Sequence, residues 1–517
     1  MKNSILLLTL FVLFGNNLSA QTQSADLDYY NTRVKILNGG DFFWNLANAG
    51  YEVPKIDDVN AVKKHTIFSG ALWLGGTDSD DNIRLAAITY RQRGQDFWPG
   101  PAVLPKNDEL REKYDKIWVV SADEIRDHIE NSSNPVDAIL SWPGNGDTTK
   151  GEPLQLAPFV DLNDNGVYEP ADGEYPSIKG EQAAYCVYND VGVHTESGGE
   201  PLNIEVHQLF YQDIYRFNNE NYGDVNLASF TVVNRGEEDI KNFIFGVFTD
   251  FDIGNYADDF IGSDSRRNMV YGYNGDDNDE GILGYGLNPP SQSMMFLNRR
   301  MGYSTYYENN LDSINGNPNK ASDYFDYLQG KLKDGSEATP NSNFAFDDNP
   351  LVGPPNMEGV NTFPGDRRIL ASAEAMTLEP NKPVCFDIAY TWARALFGGA
   401  LGSLDILKEK TDAIQATYDD NSHGWESVTC RLGSQSSKFA SVPVVRSNDL
   451  FNIYPNPSNG IFKLEGMLLE STGYVLTPTG QVIKTISTTD KEIDLTDFES
   501  GIYFLKTDFG SVRLVKL

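Results

Sequence analysis

Short runs in which apolar and polar residues alternate recur along almost the whole chain, and Gly, Pro and Asn punctuate them every few residues. A period of two is that of an extended strand with one face buried, so the pattern predicts a mainly β protein. His65 to Gly76 and Arg84 to Tyr90 read as the arms of a hairpin joined by Thr77 to Asn82, an acidic tip best left to solvent. Asp26 to Leu46 reads as strand, turn and strand around Asn38-Gly39-Gly40-Asp41. Tyr185–Tyr188, Ile204–Tyr211, Ala228–Asn234, Phe243–Thr249, Leu370–Leu378 and Val384–Trp392 continue the series. Helix is minor. Parts of Asp108 to Ile129 have helical character, with Ser121 as an N-cap. Leu404, Leu407, Thr411, Ile414 and Tyr418 recur at three- and four-residue spacing behind Ser403, which predicts a helix over Leu404–Tyr418. Gly286 to Pro364, rich in Gly, Pro, Asn and Tyr, is expected to form long loops over a sheet surface.

The last residues repeat the strand pattern on a smaller scale. Phe451-Asn452-Ile453-Tyr454-Pro455-Asn456-Pro457-Ser458-Asn459-Gly460 leads into Ile461-Phe462-Lys463-Leu464. A turn at Pro478-Thr479-Gly480-Gln481 separates Tyr474-Val475-Leu476 from Val482-Ile483-Lys484. Ile493-Asp494-Leu495, Gly501-Ile502-Tyr503-Phe504-Leu505 and Val512-Arg513-Leu514-Val515-Lys516-Leu517 complete a small Ig-like β-sandwich. In this order the blocks closely resemble the type A C-terminal sorting domain of the type IX secretion system of Bacteroidota. The resemblance covers residues 450–517. It implies recognition by the type IX machinery, removal by a surface sortase, and either attachment of the remainder to lipopolysaccharide or its release. Secretion or display on the outer cell surface, by way of the periplasm, is the expected location.

At the other end, Lys2 precedes the apolar run Ile5 to Phe14, which closes with Leu18-Ser19-Ala20. This is a signal-peptide pattern over residues 1–20, too short to span a bilayer comfortably. No later apolar stretch approaches spanning length, so no transmembrane segment is expected in the mature chain. The expected organisation is leader, an acidic β-rich body over 21–433, a polar linker over 434–449 and the sorting domain. Sorting-domain residues 450–517 hold six basic and eight acidic side chains, whereas the whole chain has a net charge of −33. The acidity therefore lies in the body, where it repels phosphate backbones and favours divalent cations; nucleic acid is not an expected partner. Three cysteines are too few to staple a chain of 517 residues. Export permits one disulfide, with Cys385 and Cys430 the better candidates because both lie late in the body.

Two acidic constellations suggest metal. In Asp161-Leu162-Asn163-Asp164-Asn165-Gly166-Val167, oxygen-bearing side chains stand at positions 1, 3 and 5, with Gly at 6 and the Val167 carbonyl at 7; Asp172 falls at 12. A hard cation needs oxygens converging from such a tight loop, and the spacing resembles the calcium loops of dockerins and EF-hands. Pro170 disfavours the exiting helix of an EF-hand, so a lone Ca2+ loop embedded in β-structure is expected. The competing reading is a series of Asx turns without metal. In the second constellation, alternation after the strand ending at Thr249 points Asp250 and Asp252 to one side, where Asp258, Asp259 or Asp264 can meet them. Crowded carboxylates raise one another's pKa unless a cation sits among them. The third run, Asp276-Asp277-Asn278-Asp279-Glu280, is expected to be solvated. The segment around Asp250–Asp264, with Tyr271-Gly272-Tyr273-Asn274 and Gly365-Asp366-Arg367-Arg368, resembles a body recurring in large secreted proteins with the same sorting domain; no activity follows from that.

No Gly-x-Ser-x-Gly elbow, His-Glu-x-x-His, Cys-x-x-Cys or phosphate-binding Gly-x-x-x-x-Gly-Lys occurs, and His207, alternating within a strand, reads as structural. The expectation is an exported protein with a calcium-stabilised binding, adhesive or structural body. The alternative is a secreted hydrolase acting on carbohydrate, because a carboxylate pair has no short signature.

Overall fold

Phe243, Phe245 and Val247 alternate with Ile244, Gly246 and Phe248 along a strand whose two faces both meet apolar neighbours, and the body is built outward from this strand. The computed structural model describes residues 23–517 apart from 92, 104–107, 219, 311, 349–356, 359–361, 422, 426–429, 431, 437–451, 466–471, 478–481, 488–490 and 508–509. The expected leader at 1–20 and most of the expected linker lie outside the described residues. Two units separate, Met1–Ser437 and Lys438–Leu517.

The first unit is a mainly β body built on two large antiparallel sheets, with smaller ones at its margins. Across one sheet the strands run Ser24–Tyr29, Thr32–Leu37, Asp41–Phe42, Ile67–Thr77, Ile240–Phe251, Arg367–Ala373 and Met301–Glu308. Across the other they run Asp259–Asp264, Met269–Asn274, Ser291–Phe296, Val384–Ala393, Val225–Asn234, Ile204–Gln212, Gln182–Asn189 and Trp98–Pro99. Rings from the two sheets interlock between them. Phe245 stacks on Phe386 with centroids 4.1 Å apart, and Phe42 meets Phe210 at 5.0 Å. Each such side chain, fully removed from water, contributes about 1.5–3 kcal/mol, which makes this layer the main source of stability.

The first sheet is covered on its other face as well. Helix Ala321–Leu328 lays Tyr324 and Tyr327 onto Trp73 and Tyr307, at 4.6 and 5.4 Å between centroids. Gly246 permits that approach: a Cβ there would stand 2.4 Å from Leu328 Cδ2. Helix Gly399–Asp419 packs against the second sheet at Val384–Ala393 and Ser291–Phe296.

Several local expectations need correction. The Gly286–Pro364 stretch is mostly loop among its described residues, as expected, but three longer elements are set into it. Ser291–Phe296 and Met301–Glu308 are sheet strands and Ala321–Leu328 is a helix; Met and Tyr supply their buried faces in a composition that reads as loop. The last body helix begins at Gly399, behind Gly398 at φ +96°, and Ser403 lies inside it, accepting from the Ala395 amide at 3.0 Å. Asp279 of the third acidic run is buried, with its carboxyl accepting from Asn255 and Tyr285 amides. The linker's first residues, Ser434–Ser436, form a strand parallel to Phe159–Asp161. Ser121 caps helix Ala122–Glu130 in a reciprocal box with Glu124. Cys385 and Cys430 are disulfide-bonded, and Cys186 is free and buried.

The second unit has a three-stranded sheet, Asn452–Tyr454, Ile461–Glu465 and Glu492–Asp494. Its four-stranded sheet is Val482–Ser487, Thr472–Leu476, Gly501–Thr507 and Gly510–Lys516. Phe462, Val475, Ile493, Leu505 and Leu514 fill the space between them.

His207 lies within the second sheet in a buried chain. Tyr185 Oη is 2.7 Å from His207 Nδ1, and His207 Nε2 is 2.8 Å from Glu205 Oε1. Arg235 donates to the same oxygen at 2.6 Å. Burial opposes ionisation of Glu205, yet His207 and Arg235 override it and hold the carboxyl down at about 2. Because the folded-state value is depressed, the ionised group stabilises the fold above the ordinary carboxylate range, and that contribution disappears as the pH falls toward 2. Glu205→Gln should therefore lower the urea midpoint at neutral pH, with the gap from wild type closing between pH ~4.5 and ~2. Phe245→Ala should cost about 3–5 kcal/mol in the same measurement, since it empties the space opposite Phe386.

Candidate metal centre

Parity along Ile240–Phe251 places Asp250 on the face that carries Phe248. Its direct neighbours across the sheet are Ser69 on Ile67–Thr77 and Arg368 on Arg367–Ala373, and Arg368 is opposite Tyr307. A row of Ser, Asp, Arg and Tyr thus crosses four strands. Asp252, two residues on, and Asp366, just before the Arg367–Ala373 strand, complete a group of three carboxylates. One oxygen from each lies within 4.8 Å of the others.

Tyr90 organises one side of this group. Its hydroxyl donates to Asp250 Oδ2 at 2.5 Å and accepts from Arg368 Nε at 2.7 Å. Arg368 Nη1 is 2.9 Å from Asp366 Oδ1, and Nη2 is 3.8 Å from Asp250 Oδ2. Asp250 Oδ1 and Ser69 Oγ are buried without a hydrogen-bond partner among the described residues. Burial pushes the Asp250 carboxyl up to about 6, against the pull of Arg368. Burial, with the charges of Asp250 and Asp366, drives Asp252 well above the carboxylate range.

Of the residues expected here, Asp250 and Asp252 come together and the other three do not join them. Asp258 sits in the turn Tyr256–Asp258, half-buried. Asp259 is buried and accepts from the Ile253 amide at 2.8 Å. Asp264 closes a turn, accepting from the Arg266 and Arg267 amides and pairing with the Arg267 guanidinium. The third carboxylate is Asp366, more than a hundred residues along the chain and brought in by strand pairing. Neither it nor Tyr90, Arg368 or Ser69 is signalled by any local spacing.

The loop after Asp161 runs between strands Phe159–Asp161 and Tyr175–Pro176. Asp161 is buried; its oxygens accept from the Asn165 and Gly166 amides at 3.2 and 2.7 Å and from Ser434 Oγ at 2.7 Å. Burial would raise its pKa, but these donors, Ser434 foremost, hold it below the usual range. Asn163 Oδ1 accepts from the Asn165 amide, and Asn165 Oδ1 from the Val167 amide. Both Asn side chains donate to Glu169 Oε2, at 3.1 and 2.6 Å. Val167 and Asp172 are exposed, Asp172 within the turn Pro170–Asp172. The acidic group the loop closes around is Glu174, buried and accepting from the Leu162 and Glu169 amides. Glu169 and Glu174 fall at positions 9 and 14 of the loop, and Glu174 lies outside the twelve-residue pattern.

Among solved structures, the chain is similar over 60% of its length to a polysaccharide lyase, at 9% identity and a TM-score of 0.20, and spans about a third, 34%, of that chain. It is similar over 72% of its length to a protein from Escherichia coli K12 provisionally described as an aldose 1-epimerase, at 9% identity and a TM-score of 0.24, covering 99% of it. Scores this low define neither fold nor activity. No curated protein matches the chain. Residues 452–516 match the family model described as the secretion system C-terminal sorting domain. The second unit is thus a type IX sorting domain, and the protein carries the address for secretion by that system.

Proposed function

We propose that the protein is a type IX passenger whose body, once outside the cell, serves as a calcium-stabilised binding, adhesive or structural module. The observation that carries the reading is the sorting domain at 452–516 joined to an acidic β-sandwich. Processing by a surface sortase, with lipopolysaccharide attachment or release, and passage through the periplasm after removal of a leader belong to the same proposal.

Calcium is supported by the chemistry of the 161–174 loop. Asp161, Asn163, Asn165, Glu169 and Glu174 bring hard oxygens onto one short turn whose backbone is already bent at Asp164 and Gly166, φ 58° and 78°. The hydrolase alternative gains less support. Carboxylate pairs that cleave glycosidic bonds stand about 5–5.5 Å or about 6.5–9.5 Å apart in an accessible cleft. The Asp250, Asp252 and Asp366 oxygens are closer than that, within 4.8 Å, and the first two side chains are buried.

Deleting residues 450–517 should leave the body inside the cell, measured by immunoblot of fractionated cells and medium; normal export of the truncated protein would overturn the reading. Calcium should raise the melting temperature of wild type by several degrees over chelator, and Asp161→Ala should make that rise smaller. Identical melts in calcium and chelator would remove the calcium part while leaving the export part standing.

A further inference from the structure

We propose that Asp250, Asp252 and Asp366 bind one divalent cation of the calcium class, at a site separate from the 161–174 loop and independent of the reading of that loop. Three observations meet at this place. The first is spacing. Oxygens arranged around one ion at about 2.4 Å are separated by at most about 4.8 Å, and the three carboxylates already satisfy that limit, within 4.8 Å of one another. Magnesium, which demands about 2.0–2.1 Å and near-octahedral geometry, sets a narrower limit on oxygen spacing and is held less readily by an all-carboxylate cage.

The second is charge. Three carboxylates face one guanidinium, Arg368, which contacts Asp250 and Asp366. Two negative charges remain uncompensated when all three are ionised, the amount a divalent ion neutralises. A buried charge without a partner is costly, and Asp250 Oδ1 has no hydrogen-bond partner among the described residues.

The third comes from outside the cluster. Ser69 is fully buried, its hydroxyl has no described partner, and it stands directly opposite Asp250 on the neighbouring strand. Directly opposed Cβ atoms are about 4.5–5.5 Å apart, so the hydroxyl belongs to the same polar space. Tyr90 and Arg368 occupy Asp250 Oδ2 and leave the Oδ1 lone pairs to face a cation. An ion held this way ties the end of Ile240–Phe251 to the start of Arg367–Ala373.

The test is calcium binding to the full chain after stripping with chelator, by equilibrium dialysis and by terbium emission sensitised through Tyr90, whose hydroxyl lies 2.5 Å from Asp250. Asp252→Asn and Asp366→Asn should each lose one bound equivalent relative to wild type, and terbium emission should fall by at least half. Asp161→Ala should keep that equivalent, and magnesium at tenfold excess should not displace it. Retention of the full complement by either variant, or no bound calcium in wild type, overturns the proposal. Should Asp252→Asn not fold, Asp366→Asn decides, since its side chain is partly exposed. Because Asp161→Ala reports on the loop and the other two on this cluster, failure of one site is visible without the other.

Discussion

Burial of the first sheet on both faces governs much of what the body does with its polar residues. Phe245 turns toward Phe386 while Gly246 and Phe248, one and three residues on, turn toward Leu328 and Trp73. A strand in that position has no watery side on which to place an acid. Asp250 follows Phe248 at the next outward position, and its cost is offset by Tyr90 and Arg368 from neighbouring elements. The second sheet meets the same difficulty at Glu205, where His207, Arg235 and the Ala102 amide surround the carboxyl. At both places the buried acid is held by a set of neighbours, because a lone partner would leave part of its charge uncompensated.

What was legible in the sequence follows from the range of the interactions involved. Period-two runs such as Ile204–Tyr211 and Val384–Trp392 report burial through residues one and two apart, and they became strands. The Ser121 cap and the sorting-domain blocks are likewise local patterns. Strands at Ser291–Phe296 and Met301–Glu308 carry no period-two signal because Ser, Gln, Tyr and Gly outnumber aliphatic residues there, and a sheet covered on both faces accepts them. The start of the last body helix was misplaced at Ser403, whose hydroxyl satisfies the Ala395 amide instead of capping.

The candidate site shows the same divide. Asp250 and Asp252 share a side by simple alternation, which the sequence displays. Asp366 joins them only because Arg367–Ala373 pairs with Ile240–Phe251, a register that no spacing encodes. In the 161–174 loop, Asp172 was expected at the twelfth position, but the turn at Pro170 leaves it exposed and carries the chain on to Glu174, which takes the buried place. Where backbone geometry departs from a familiar template, the residue that matters shifts by a position or two.

The end of the body bears on the proposed removal of the sorting domain. Ser434–Ser436 lies beside Phe159–Asp161, Ser434 bonds the Asp161 carboxylate, and Cys430 is tethered to Cys385 just upstream. The proposed scission, placed between Ser436 and Asn452, would shed the export label without unpairing any described strand of the body. A cut a few residues earlier would strip an edge strand and expose a buried acid, so the body's own pairing sets an upstream limit on where such a cut leaves it intact.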